Sequence, residues 1–361
     1  MTSVGAPLPE PIFDHLRRLT DSIGLHEHAL GDVPRPEHGY CVDDAARALV
    51  VTCRAADPAL GGLTQRYLAV VLSAIAPDGR CHNRLGTDGH WRDEPGLGDW
   101  WGRAVWALGV AAARGPLWAR EEALAGFNRL AEQRSPWLRS MAYAALGAAE
   151  LHDITPTARP LLADAVAVVR EAPDDRSSAP APDWAWPEPR LRYDNARLPE
   201  ALLAAGSALA RADLVQAGLE QLGFLLAVET TEGRLSVTPV GGRGPGEHGP
   251  AFDQQPIEVA GIADACSRAW ELTGGAEWLA GLRLAWAWFE GSNDADIPMY
   301  DLETGAGYDG LHVEGRNVNR GAESTLAALS TLIQARMAGA DECPRPSRTI
   351  QTSTSSPISS G

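Results

Sequence analysis

Residues 38–51 read HGYCVDDAARALVV, with polar and aromatic residues around the first turn of a predicted helix and small apolar residues on nearly all sides of the remainder. A helix that is apolar all round is buried inside a protein. The same pattern starts again at residues 98, 135, 192, 252 and 319. The starts are spaced by 55, 38, 57, 59 and 66 residues when measured from Asp44, Asp99, Trp137, Asp194, Asp253 and Asn319. This loose period suits a helical hairpin with variable loops.

A second set of helices, each with one charged face, lies between the buried ones. These helices are predicted at about residues 11–23, 62–76, 116–133, 156–171, 211–226 and 276–290. Because an amphipathic helix can cover a buried one, the alternation predicts an all-α (α/α)6 toroid with an inner and an outer ring. Inner helices are expected to start near residues 42, 99, 137, 195, 256 and 320. The alternative is an irregular α-solenoid, whose repeats are shorter and more even.

Strand-like sequence is confined to insertions between the helices. Segments 78–93, 228–240 and 297–314 contain Asp-Gly or Glu-Gly pairs, which predict short β-hairpins on one rim. Residues 1–340 are expected to form a single catalytic domain. A Pro-rich linker is predicted at residues 171–190, and the Ser-, Thr- and Pro-rich residues 341–361 are expected to be a disordered tail.

Composition and charge exclude several classes of function. The 361-residue chain has a net charge of -16, and its basic residues are scattered, so nucleic acid is not an expected partner. It has no apolar run of the roughly 20 residues that span a bilayer, nor a secretory signal at its start, which predicts a cytoplasmic protein with no membrane partner. Its five cysteines form no CxxC pair, so free thiols are expected. A homo-oligomer is compatible with this composition.

The predicted inner helices all run the same way, so their starts converge on one mouth. The candidate catalytic residues collected there are Asp43, Asp44, Asp99, Asp194, Glu258 and Glu323. The candidate substrate-binding residues are His38, Tyr40, Trp100, Trp101, Arg103, Tyr193, Asn195, Arg197, Asp253, Gln254, Gln255 and Asn319. The competing interpretation is that the Asp residues only cap helices or pair with an Arg three or four positions later.

An acid-lined pocket with interspersed Trp suits a neutral, polyhydroxylated substrate. Glycoside hydrolysis needs one carboxylic acid to protonate the leaving oxygen and one carboxylate to act as nucleophile or to activate water. Asp44 and Asp194 lie on opposing walls of the predicted ring, and we take them as the catalytic pair, supported by Asp43 and Asp99, with Glu258 and Glu323 as substitutes. Carboxylates that face each other across a pore favour an inverting mechanism.

No cofactor or metal is expected. Histidines on the predicted rim form no HExxH pattern, and the HxH sequence at residues 26–28 has no evident third ligand. The Gly-rich residues 240–250 lack the context of a phosphate-binding loop.

The sequences HGYCVDDAARAL, RYDNARLPEAL, FDQQPIEVAGIADA and AESTLAAL resemble the six-hairpin, (α/α)6-toroid carbohydrate-active proteins. That group comprises glycoside hydrolases and, more distantly, the N-acylglucosamine 2-epimerases, and the motifs also resemble a bacterial domain associated with glycosyltransferases. The resemblance implies that acidic residues at inner-helix starts catalyse hydrolysis. Two alternatives stay open: a sugar epimerase that uses His82, His248 or His312 as acid and base, and a non-catalytic glycan-binding toroid.

Overall fold

The computed structural model describes residues 7–170 and 184–340. Over these residues the chain forms twelve α-helices: α1 Asp14–Leu19, α2 Val42–Ala55, α3 Gly61–Ser73, α4 Asp99–Arg114, α5 Leu117–Leu130, α6 Leu138–Glu150, α7 Ala158–Arg170, α8 Arg197–Ala208, α9 Ala212–Glu229, α10 Pro256–Thr273, α11 Ala276–Phe289 and α12 Ala322–Met337. Most of the predicted linker and the whole of the predicted tail lie outside the described residues.

The even-numbered helices form a closed inner ring. Each packs against the next, and α12 returns to pack against α2. The odd-numbered helices lie outside this ring, and α1 packs on α12 at the closure. The predicted all-α (α/α)6 toroid is therefore confirmed, because a solenoid would leave α2 and α12 apart. The predicted inner-helix starts agree with the observed ones to within two residues.

Glycine allows two inner helices to approach closely. A Cβ atom added to Gly109 of α4 would lie 2.5 Å from the carbonyl oxygen of Gly147 in α6. A Cβ atom on Gly147 would lie 2.3 Å from the carbonyl oxygen of Val105. Since both contacts are with backbone atoms, neither position has room for a side chain.

The two ends of the toroid differ in the length of their loops. Connections from an inner to an outer helix are short, as at residues 115–116 and 274–275, whereas returns to the inner ring are long, as at 74–98 and 290–321. The long connections gather at the end where the inner helices begin. We call this end the mouth rim and the other end the closed rim.

The described residues contain four two-stranded antiparallel pairs: β1 Ala29–Leu30 with β2 Val33–Pro34, β3 Tyr40–Cys41 with β4 Arg84–Leu85, β5 Thr230–Thr231 with β6 Arg234–Leu235, and β7 Leu311–His312 with β8 Gly315–Arg316. The hairpin predicted at 228–240 forms as β5 and β6. In the 78–93 segment, β4 pairs with β3 from a distant part of the chain, while the Asp88-Gly89 turn closes only a Leu85–Trp91 bridge.

Two rim hairpins differ from the expectation. The third predicted hairpin starts later, at β7, with its turn at residues 313–314 rather than at the Asp-Gly pair. The hairpin of β1 and β2 was not predicted, although Gly31-Asp32 between apolar residues is a recognised two-residue turn signal. No helix in the described parts of the chain is long and apolar enough to cross a membrane.

Candidate functional site

A cavity of about 380 Å³ opens at the mouth rim; we call it the mouth cavity. Its wall combines rim loops with the first turns of α2, α10 and α12. The residues that line it are Glu27, His28, Cys41, Asp43, Asp44, Arg47, Arg103, Tyr193, Gln255, Ile257, Asp309, Gly321, Glu323 and Ser324. The convergence of helix starts predicted from the sequence thus produces a real cavity, of a size that proteins use for small ligands.

Asp44 in the first turn of α2 is buried but reaches the mouth cavity. Its carboxyl group accepts hydrogen bonds from Arg47 Nη1 at 2.7 Å and from Cys41 Sγ at 3.1 Å. Burial raises the pKa of Asp44 to about 6; the guanidinium of Arg47 opposes this shift and the carboxylate of Glu323 adds to it. Asp44 therefore holds a proton at mildly acidic pH, where an ordinary aspartate is ionised.

Asp43 faces the same cavity in different surroundings. Its carboxylate accepts hydrogen bonds from the guanidinium of Arg103 and, at 3.0 Å, from Asn83 Nδ2. Burial disfavours the charge, but Arg103, Arg47 and the hydrogen bonds outweigh burial and hold the pKa of Asp43 below its usual value. Two adjacent residues of one helix turn thus face one cavity with pKa values that are shifted in opposite directions.

Asp194 lies below the mouth cavity. It lines a narrower cavity of about 30 Å³ on the ring axis, which shares Arg47 and Glu323 with the mouth cavity. Its carboxylate accepts a hydrogen bond from the hydroxyl of Tyr143, and Arg197 Nε lies 3.2 Å away. The structure therefore places the predicted pair, Asp44 and Asp194, in two adjoining cavities rather than across one open pore.

Buried ion pairs fill the ring axis beneath Asp194. Arg197 donates to Glu200 at 2.6 Å and to Asp264 at 2.7 Å, and Arg54 donates to Asp264 at 2.7 Å. Burial would raise the pKa of Asp264, but the guanidiniums of Arg54 and Arg197 lower it to about 2. These pairs close the axis below the cavity. Asp264 is not among the predicted site residues, although a charge within the apolar helix VAGIADACS is a usable signal.

The remaining carboxylates predicted for catalysis have different surroundings. Glu323 lines the mouth cavity and lies 2.8 Å from Arg47 Nη2. Asp99 is half-buried at the start of α4 and is not among the residues that line the mouth cavity; burial raises its pKa. Glu258 is buried and accepts hydrogen bonds from the backbone N–H groups of Asp194 and Asn195, so it fixes the segment before α8 in the manner of a cap.

Three of the predicted substrate-binding residues, Arg103, Tyr193 and Gln255, line the mouth cavity. The others that are polar mostly hold loops or helices together. Asn195 accepts a hydrogen bond from the backbone N–H of Arg192 at 2.9 Å, Gln254 donates to Asp294 at 2.6 Å, Asn319 accepts from the backbone N–H of Gly31 at 2.9 Å, Asp253 pairs with His312, and Arg197 belongs to the axial ion pairs.

The predicted aromatic residues are more buried than the sequence suggested. Trp101 is fully buried in the core and cannot contact a ligand. Trp100 is half-buried and donates its indole N–H to the carbonyl oxygen of Cys81 at 2.7 Å. Tyr40 is buried and donates its hydroxyl to Asp21 at 2.6 Å. Of the two tryptophans predicted to bind substrate, Trp101 therefore has no face open to a ligand, and Trp100 stays the candidate.

The rim histidines differ in whether they line the mouth cavity, which the sequence alone does not indicate. His28 lines the mouth cavity, and the ring of exposed His38 meets it edge-on with 4.9 Å between ring centroids. His82 stacks on Trp91, and His312 pairs with Asp253; neither is part of the wall of the mouth cavity. Glu27 and His28 lie in a rim loop. They were not predicted as site residues because the candidates were taken from the starts of helices.

One group in the wall has the composition of a metal site. Ligand atoms of Glu27, Cys41 and Asp44 lie within 4.8 Å of one another. Metals bind the thiolate form of cysteine. Burial and the nearby carboxylates raise the pKa of Cys41 well above its usual value, and its thiol donates to Asp44. Within the group Cys41 donates to Asp44, while the carboxylate of Glu27 accepts a hydrogen bond from Arg84.

Glu229, at the end of α9, is a buried acid behind the site. It accepts hydrogen bonds from the backbone N–H and the hydroxyl of Thr238. Burial raises its pKa to about 7. Because the folded-state pKa lies above the unfolded one, Glu229 favours folding at low pH, and this contribution is lost as pH rises through 7, by about 3 kcal/mol in all.

We expect Glu229→Gln to remove that loss, since glutamine keeps the acceptor oxygen for Thr238 and does not ionise. Thermal denaturation between pH 5 and 8 should give a smaller fall in Tm with pH for the variant than for the unmodified protein. Glu122→Gln, on the exposed face of α5, is the control and should keep the original slope. Equal slopes for all three proteins would show that Glu229 is ionised in the folded state throughout this range.

No protein-family model and no curated protein sequence matches the chain. Solved structures do match it. A sugar epimerase from a ruminal bacterium superposes with a TM-score of 0.69 at 13% identity, covering 91% of this chain and 97% of that one. The cellobiose 2-epimerase of Bacillus thermoamylovorans gives 0.67 at 11% identity, covering 90% and 96%.

A family 76 α-mannanase from Bacteroides thetaiotaomicron gives a TM-score of 0.58 at 9% identity, covering 88% of this chain and 91% of that one. Epimerases and a glycoside hydrolase are thus both among the similar structures, and at these identities the likeness concerns the fold. The chain therefore shares the (α/α)6-toroid fold of these proteins.

Proposed function

We propose that this protein is a glycoside hydrolase that acts on an oligosaccharide or small glycoside, with Asp44 as the acid and Asp43 as its ionised partner. The observation that supports this proposal most strongly is that two adjacent carboxyl groups, each with its own set of hydrogen-bond partners, face one cavity at the mouth of the toroid. Asp44 lies beside a thiol and a guanidinium that it shares with Glu323, whereas Asp43 accepts hydrogen bonds from Arg103 and Asn83. Glycosidases need such a division between acid and carboxylate.

In this mechanism Asp44 protonates the glycosidic oxygen as the bond to the anomeric carbon breaks. Asp43 stabilises the positive charge on the sugar ring and then acts in one of two ways. It either attacks the anomeric carbon, forming a glycosyl ester that water hydrolyses with Asp44 now as base, or takes a proton from the water that attacks this carbon. Asp194 is a positioning residue, because Arg103 lies between it and Asp43, with Nη2 4.0 Å from the Asp194 carboxylate. Inversion was expected for carboxylates on opposing walls. With both groups on α2 that reason no longer applies, so the product anomer is to be read from NMR spectra.

The charge of the cavity wall supports a neutral substrate. Carboxyl groups of Glu27, Asp43, Asp44, Asp309 and Glu323 outnumber the guanidiniums of the wall, Arg47 and Arg103. An anionic sugar such as a uronic acid would be repelled by this excess. Similar folds include an α-mannanase and a cellulase, whose substrates are neutral polysaccharides.

The proposal is tested by screening p-nitrophenyl glycosides and di- to hexasaccharides of the gluco, manno and xylo series for released reducing sugar. A positive substrate should be cleaved by the unmodified protein near pH 5 to 6. A screen without any cleavage, made with protein that is folded by circular dichroism, would contradict the assignment.

Two neighbours of Asp44 should shift the pH dependence of kcat/KM in opposite directions. The acid must be protonated, so activity falls above its pKa, near pH 6. Glu323→Gln removes a negative charge that raises this pKa, and the alkaline limb should move below that of the unmodified protein. Arg47→Gln removes the opposing positive charge and should move the limb to higher pH. If both limbs stay in place, Asp44 is not the titrating acid.

Sugar epimerisation is the second candidate. The similar structures include three epimerases, and His28 supplies an imidazole in the wall of the mouth cavity. An epimerase of this kind would use His28 rather than His82, His248 or His312 as an acid or base. His28→Gln should then abolish epimer formation, whereas it should leave glycoside cleavage by Asp44 within a few-fold of the original rate.

A further inference from the structure

One exposed tryptophan lies on the mouth rim, at the start of an inner helix. Trp137 immediately precedes α6, and 62% of its surface is exposed. Its backbone is fixed, since its N–H donates to Ser135 Oγ at 3.1 Å and Ser135 Oγ donates to the carbonyl oxygen of Leu97 at 2.7 Å. The indole of Trp137 is therefore open to a ligand that extends out of the mouth.

Trp137 is connected to the cavity wall through Arg139. Arg139, two residues further along, donates from Nε to the carbonyl oxygen of Tyr193 at 3.0 Å, and its guanidinium lies 5.9 Å from the centre of the Tyr193 ring. Glu188 holds the same guanidinium at 2.7 Å. Tyr193 itself lines the mouth cavity and is 40% exposed. Two aromatic residues therefore lie at the starts of neighbouring inner helices, Tyr193 in the cavity wall before α8 and Trp137 before α6.

We propose that Trp137 is an outer sugar-binding subsite, which stacks on a unit of an oligosaccharide whose end occupies the mouth cavity beside Tyr193. This inference rests on the proposed glycosidase function and names its substrate as a chain rather than a single sugar. The flat indole face matches the C–H face of a pyranose ring. Since the axial ion pairs close the ring below Asp194, the rest of a chain can leave only across the rim.

The closed rim provides a matched control. Trp118, near the start of α5, is also an exposed tryptophan, at 51%. It lies at the opposite end of the toroid from the mouth cavity. Trp118→Ala and Trp137→Ala remove the same side chain from water-exposed positions, and only the second should affect an oligosaccharide.

The experiment measures KM for the oligosaccharide that the unmodified protein cleaves fastest and for the matching p-nitrophenyl monosaccharide. Trp137→Ala should raise KM for the oligosaccharide about fivefold or more, with KM for the small glycoside changed less than twofold. Trp137→Phe should restore most of the difference, and Trp118→Ala should change neither value. Equal effects of Trp137→Ala on both substrates, or no effect, would overturn the subsite.

The subsite and the proposed function can fail separately. If the unmodified protein cleaves nothing, isothermal titration with the same oligosaccharides decides the subsite: binding that is weakened by Trp137→Ala supports it, and binding that is unchanged or absent overturns it. Sedimentation velocity tests the other possible partner of the Trp137 ring, which is a second copy of the chain. A dimer of the unmodified protein that Trp137→Ala dissociates would assign Trp137 to a contact between copies and overturn the proposal.

Discussion

Replacement of Asp44 with asparagine is expected to lower turnover at least about 100-fold, which is the low end of the rate enhancement that a positioned general acid contributes. Asparagine keeps the shape of the side chain and an acceptor oxygen for Arg47 but has no proton to give to the leaving oxygen. The Tm should stay close to that of the unmodified protein. Both quantities are measured on one preparation, by release of reducing sugar and by thermal denaturation.

Asp57→Asn is the matched control for this experiment. Asp57 lies on the closed rim, where its side chain accepts the backbone N–H of Ala59 at 2.8 Å, and asparagine retains that cap. Turnover should therefore be unchanged in Asp57→Asn. Full activity in Asp44→Asn would remove Asp44 from the mechanism, and unfolding of Asp44→Asn alone would restore the interpretation that its carboxyl group is structural.

Arg197→Met is expected to cause the largest loss of stability, about 3 to 5 kcal/mol, because it leaves buried carboxylates without their positive partner. Arg197 lies among Asp194, Glu200 and Asp264, all of them buried. Urea denaturation followed by circular dichroism measures the loss. The double variant Arg197→Met/Asp264→Asn, which also removes one of the stranded charges, should recover part of it.

Arg211→Met is the corresponding surface control. Arg211 forms an ion pair with Asp213 in which both side chains are about half exposed, so its removal should have a far smaller effect. A free energy of unfolding for Arg197→Met equal to that of Arg211→Met would contradict the view that the axial ion pairs hold the ring together.

The inner and outer helices could be predicted because their determinants are local. Whether a helix is apolar on every side or on one side is visible in a dozen consecutive residues, and those residues decide which ring it joins. The β3–β4 pair could not be predicted, because β3 and β4 lie some forty residues apart and their register depends on the closed ring. The axial ion pairs could not be predicted for the same reason, because Arg54 and Asp264 meet only across the closed ring of helices.

Within the site, the sequence identified the region and the residue types but not their orientation. Trp100 and Trp101 are neighbours in sequence, yet their side chains lie on different sides of α4. The side chain of Trp101 is fully buried, whereas that of Trp100 is half-buried. The difference between Asp43 and Asp44 arises in a similar way. Arg103 reaches Asp43 from another helix, whereas Asp44 shares the guanidinium of Arg47 with Glu323. Neither contact can be inferred from two consecutive aspartates in the sequence.

The proposal that Asp44 is the acid of a glycoside hydrolase is tested most directly by proton NMR. The oligosaccharide series is incubated with the unmodified protein and with Asp44→Asn. These spectra report new reducing ends, the first anomer formed and any epimer at the reducing sugar in one measurement. The proposed mechanism predicts new reducing ends with the unmodified protein and almost none with Asp44→Asn. Epimer signals without chain cleavage, or equal cleavage by both proteins, would contradict it.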